Sequence, residues 1–96
     1  MPYRFTPAAR ADLRGIARFI AKDNPVRAYS FVDDLESQTH RIAKNPLAYR
    51  LRPEMGQGLR ACAFGRYLIV FRLAEGVVLV VRVLHGAMDI GNHLEP

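Results

Sequence analysis

The run Val77-Val78-Leu79-Val80-Val81 is apolar at five successive positions, and it limits the fold more than any other feature. β-Branched residues at this density favour a strand. A strand with apolar side chains on both faces needs a cover on each, and Leu68-Ile69-Val70-Phe71 makes the same demand. Gly65-Arg66 and Ala74-Glu75-Gly76 divide this last third into Leu59 to Phe64, Tyr67 to Leu73 and Val77 to Leu84. Strands separated by such short turn segments are expected to form an antiparallel meander with two tight hairpins.

The cover for one face is written upstream. Thr6-Pro7 pairs a capping hydroxyl with a proline suited to the first helical turn, and Ala9, Leu13, Ile16, Ala17 and Ile20 then recur at helical spacing. Asp23-Asn24-Pro25 repeats the signal almost at once, so a second helix begins after a very short connection and the two form an antiparallel hairpin. Its inward stripe reads Ala28, Phe31, Val32, Leu35, Thr39 and Ile42, and Asn45-Pro46 ends it. Leu47 to Gly58, with Pro53 and Gly56-Gln57-Gly58, is expected to cross the surface as an irregular, movable loop. Tyr3 to Phe5 is a short strand available to a sheet edge. The expected fold is α+β, one domain over residues 1–96: a short first strand, then a helical hairpin packed on a three-stranded meander.

The second sheet face is left without an obvious cover. From His85 to Pro96 there are two glycines, one proline and few large apolar residues, too little for a covering helix. An open apolar patch of more than a few hundred Å² is unusual on a soluble monomer. A partner chain is the simplest cover, and a homodimer through the same face is the alternative.

Ninety-six residues allow one core. No apolar run reaches the roughly 20 residues of a membrane span, and Met1 to Phe5 lacks the apolar stretch of a signal peptide; a cytoplasmic protein with no membrane role is expected. Fourteen Lys and Arg against nine Asp and Glu give a net charge of +5, which calls for an acidic partner, nucleic acid or protein. Cys62 has neither a disulfide partner nor neighbouring metal ligands, so it is expected to be a small buried strand residue, and no metal site is foreseen.

Motifs for cofactor, phosphate-loop or metal-nuclease chemistry are missing, so no cofactor is expected. What remains is a set of polar residues at strand positions or ends: Arg60, Arg66, Tyr67, Arg72, Arg82, His85 and Asp89. Arg82 interrupts the longest apolar run. It must find a carboxylate, carbonyls or a phosphate, so two readings stand, an internal partner such as Asp89 or Glu36, or a bound target. His85 is either a structural hydrogen bonder or a general acid–base in metal-free RNA cleavage, with arginines stabilising charge on the phosphate. Tyr67 suits core packing more than base stacking. Arg10, Arg14 and Arg18 form a basic row along the first helix, a solvated face or a nucleic-acid contact.

The order strand, helical hairpin, meander, with Leu59-Arg60, Tyr67 to Arg72, and above all Arg82-Val83-Leu84-His85-Gly86 followed by Asp89-Ile90, resembles the ParE branch of the ParE/RelE toxin superfamily over nearly the whole chain. The resemblance implies the toxin of a type II toxin–antitoxin module, causing growth arrest and neutralised by a ParD-like antitoxin whose C-terminal segment wraps on the toxin. Contact with DNA would then come only through the antitoxin. ParE-like members poison DNA gyrase, whereas RelE-like members cut messenger RNA on the ribosome, many of them with a Tyr or a His-Tyr pair near the end of the last strand. Here no Tyr follows Tyr67, which favours a gyrase poison with no catalytic residues; in the alternative ribosome-dependent endoribonuclease His85, Arg82 and Arg60 would be catalytic. The residues assigned to the target are Arg60, Arg82, His85, Met88 and Asp89, and those assigned to the antitoxin are Leu68, Val70, Val78 and Val80. Ala87-Met88 departs from relatives that carry arginine there.

Overall fold

The computed structural model describes residues 1–86. A short strand β1 (Tyr3–Phe5) leads into helices α1 (Pro7–Ala21) and α2 (Pro25–Lys44), a 3-10 turn (Pro46–Ala48), and strands β2 (Arg60–Phe64), β3 (Tyr67–Ala74) and β4 (Val77–His85). Both helices start as the sequence demands. The Thr6 hydroxyl accepts the Ala9 amide at 3.1 Å, and the Asn24 side chain accepts that of Arg27 at 3.0 Å, each with proline at the next position.

The sheet order is β1-β4-β3-β2. The meander is antiparallel, and β1 joins its β4 edge in parallel, Arg4 opposite Leu79. Between β3 and β4 only Glu75 and Gly76 intervene, both at positive φ; a two-residue turn of this kind matches the right-handed twist of the strands it joins. The ladder slips once: Val70 opposes Arg82 while Phe71 opposes Val80, leaving Val81 as the extra residue of a β-bulge.

The helices cover one face. Phe31, Leu35 and Ile42 of α2 and Ala9 of α1 bury Ile69, Phe71, Val78, Val80 and Val83. Val78 and Val80, assigned to an antitoxin surface, are fully buried here. The period-two alternation places them beside Phe71 on the helix side, so neither is available to a partner in the folded chain.

The opposite face carries its own small core. Met55, 2% exposed, closes over Val70 and Leu84, with Leu59, Leu68 and Val81 packed around them. The segment after α2 is therefore not a loop running free over the surface. It is folded on itself, the Arg52 amide donating to the Leu59 carbonyl at 2.7 Å and the Met55 amide to the Arg52 carbonyl at 2.9 Å. Gly56 permits the turn at φ 144°, a conformation that L side chains rarely adopt. Val70 is sealed by this plug, and of the four residues assigned to the antitoxin only Leu68 keeps part of its surface. No helix among the described residues is long and apolar enough to cross a membrane.

Candidate functional site: the cleft between α1 and the end of β4

A bulge frees backbone groups from the ladder, and in this sheet α1 takes them up. The Thr6 hydroxyl donates to the Val81 carbonyl at 2.9 Å, and the Val83 amide donates to Asp12 Oδ2 at 2.9 Å. Asp12 also receives Arg82, Nε to Oδ2 at 2.7 Å and Nη2 to Oδ1 at 2.8 Å. Such a two-pronged pair fixes orientation as well as charge. The internal partner foreseen for Arg82 exists, and within the described residues it is Asp12 rather than Glu36.

Beside this clamp, between α1 and β4, lies a cleft of about 400 Å³. Asp12, Gly15 and Phe19 line it from α1, Tyr67 from β3, and Arg82 and His85 from β4. Phe19 stands 66% exposed at the cleft. The half-buried His85 ring meets Tyr67 edge-on, centroids 5.6 Å apart at 83°, and Tyr67 in turn meets Phe31 at 5.4 Å. Tyr67 is thus both core and cleft wall, which its sequence position alone did not disclose.

Of the residues assigned to the target, Arg82 and His85 come together. Arg60 does not join them. It lies on β2 with a Nη1 donating to the Tyr49 carbonyl, away from the cleft, where it ties the plug segment to the sheet. Met88 and Asp89 lie outside the described residues.

Asp12, Gly15 and Phe19 were not singled out from the sequence. Asp12 had a signal: it is the one acidic residue of α1 and lies three residues after Ala9 and four before Ile16, beside the inward stripe. Phe19 and Gly15 had none.

Near Arg60, the Cys62 thiol is buried and receives Gln38 Nε2 at 3.3 Å. Burial, with Cys62 as a neighbour, pushes the Tyr49 phenol above its ordinary value. Among the described residues no group of three His, Cys, Asp or Glu side chains is arranged to hold a metal ion.

Two helices packed on this four-stranded sheet have the architecture of the ParE/RelE-like toxins. A chain of the chromosomal ParDE toxin–antitoxin system from P. aeruginosa superposes with a TM-score of 0.78 over 88% of this chain and 95% of that one, at 22% identity. The RelBE2 toxin–antitoxin complex from Mycobacterium tuberculosis matches with a TM-score of 0.58 over the same shares, at 27% identity. In sequence, Toxin ParE1 of Caulobacter vibrioides is 30% identical over 94 residues, 97% of each chain, and Toxin ParE1 of Mycobacterium tuberculosis is 33% identical over 94 residues, 96% of each. The family model of the ParE toxin of type II toxin–antitoxin systems, parDE, matches residues 3–90. The chain belongs to the ParE toxin family.

Proposed function

We propose that this ParE-family toxin poisons DNA gyrase by binding it through the α1–β4 cleft, and that a ParD-like antitoxin holds it inactive. The observation that carries the reading is the Asp12–Arg82 clamp. A guanidinium that stabilises a reacting phosphate must turn its donors to that phosphate in the transition state. Here two donors of Arg82 face a carboxylate of the same chain. Binding needs no such freedom, because a cleft lined by an exposed aromatic suits an anchor residue of a partner. His85 and Phe19 are the contacts proposed from the described residues, with Met88 and Asp89 following them in sequence.

The proposed antitoxin is acidic towards a chain of net charge +5, and it covers the remaining apolar surface around Leu68 and Val81 by folding on contact. In this reading the toxin acts in the cytoplasm, needs no cofactor, arrests growth and reaches DNA only through its antitoxin.

One observation favours the endoribonuclease reading: the edge contact of Tyr67 and His85 sets a phenol beside an imidazole, two groups able to move protons. The decisive experiment adds purified toxin to a supercoiling reaction with purified gyrase. Blocked supercoiling with accumulation of cleaved DNA is expected. Unchanged supercoiling at excess toxin, together with new messenger RNA 5′ ends after induction, would replace this reading with the second.

A further inference from the structure

The row Arg10, Arg14, Arg18 has no role in the cleft. It borders a furrow along the seam between α1 and α2, which reaches Phe5 of the edge strand β1 at one end. Two hollows of about 240 and 430 Å³ share Ala17 and Val32 and so run into each other. Small apolar residues make the floor: Leu13, Ala17, Ala21, Ala28 and Val32. The two rims differ in sign. Arg10, Arg14 and Arg18 stand along α1, and Asp33 and Glu36 along α2.

All five rim charges are exposed, and among the described residues none of them takes part in an ion pair; the three pairs present join Arg27 to Asp34, Arg52 to Glu54 and Arg82 to Asp12. Tyr29, 80% exposed, stands at the same furrow. A purely acidic partner or a nucleic acid would satisfy the α1 rim but meet Asp33 and Glu36 on the other side.

We propose that this seam is a self-association surface, occupied by a second copy of the chain. A two-fold axis parallel to the seam, lying in the contact plane, carries each α1 rim onto the α2 rim of the other copy and preserves height along the furrow. Arg10 and Arg14 share their half with Glu36, and Arg18 shares its half with Asp33. Each basic rim then lies over an acidic one, twice by symmetry, and Tyr29 is carried over the alanines of the other copy's furrow. A two-fold axis across the seam would stack like rims on each other, so the charges also select the orientation. The contact spans about three turns of helix, which places it below about 1,200 Å² and in the range of weak, transient association.

Sedimentation of the full chain without antitoxin should show a monomer–dimer equilibrium at tens of micromolar, weakening as salt screens the rims. Arg18→Glu or Asp33→Arg alone is expected to weaken it about tenfold or more, each placing like charges in contact. The chain carrying both substitutions should dimerise again, and an equimolar mixture of the two single variants should associate better than either does alone. Far-UV circular dichroism checks that these exposed changes leave the fold intact. A chain that stays monomeric up to about 500 μM, or a double variant that does not recover, overturns the proposal. So does an Arg18→Glu chain that loses affinity for duplex DNA while its self-association is unchanged.

Discussion

Asp12 and Arg82, 70 residues apart in the chain, are joined by two hydrogen bonds of 2.7 and 2.8 Å, and the same carboxylate accepts the Val83 amide. The first helix is thereby pinned to the one irregular point in the β3–β4 ladder. This contact sets the position of His85, three residues further on, at the wall of the cleft.

Asp12→Asn should therefore lower stability by about 2 kcal/mol, between the small value of an exposed ion pair and that of a buried one, because both side chains are only partly exposed. Urea unfolding measures it. Replacing both partners, Asp12→Leu with Arg82→Met, should recover part of the loss, since no charge is then left without its mate, while the Val83 amide still lacks its acceptor. A single variant as stable as the parent would mean that the clamp contributes nothing net.

The Met55 plug gives a second expectation. Met55→Ala should cost about 2–4 kcal/mol and raise binding of a hydrophobic dye, because Val70 and Leu84 lose their cover. Gly56→Ala should also destabilise, its Cβ meeting Leu59 Cδ1 at 2.8 Å on a backbone at φ 144°. Gly15→Ala provides the contrast. Nothing lies within 4 Å of the added carbon, so the helix should gain about 0.5–1 kcal/mol and melt later. Equal melting temperatures for the three variants would contradict the assignment of Met55 as a cover.

Tyr67→Phe separates the two functional readings with one atom. The ring contacts with Phe31 and His85 remain while the proton-bearing hydroxyl is gone. Gyrase inhibition and growth arrest should stay within about twofold of the parent, whereas loss of an acid–base group typically removes 10²–10⁴-fold of a rate, so a drop of about that size would favour RNA cleavage.

Tyr49 supplies the pH dependence. Burial and the Cys62 thiol raise its folded pKa above the unfolded value of about 10. The proton is held more tightly in the folded state, so the stabilisation is fully present below about pH 10 and is lost as pH rises through the folded pKa. Absorbance at the phenolate band should contain a step above about pH 10 that Tyr49→Phe removes, and a difference titration between parent and variant centred at or below that pH would refute it.

Much of the fold was legible along the chain because its signals are local. Thr6-Pro7 and Asn24-Pro25 cap the helices they announced, and Glu75-Gly76 forms the foreseen turn. The cleft was only half legible. Arg82 and His85 lie close in sequence and in space, but Arg60, grouped with them by residue type, sits on another strand and bonds Tyr49.

The sequence by itself determined the helices, the strands, their order and the excess of apolar side chains in β3 and β4, because each follows from short-range periodicity and turn chemistry. Tertiary structure alone decided which face each of those side chains met. The bulge at Val81 shifts the alternation by one residue, and Met55 returns from a segment that reads as loop to close Val70 and Leu84. It also decided that Arg82 is held by Asp12, since a contact across 70 residues leaves no trace in spacing and arises only when the packed layers bring the two groups together.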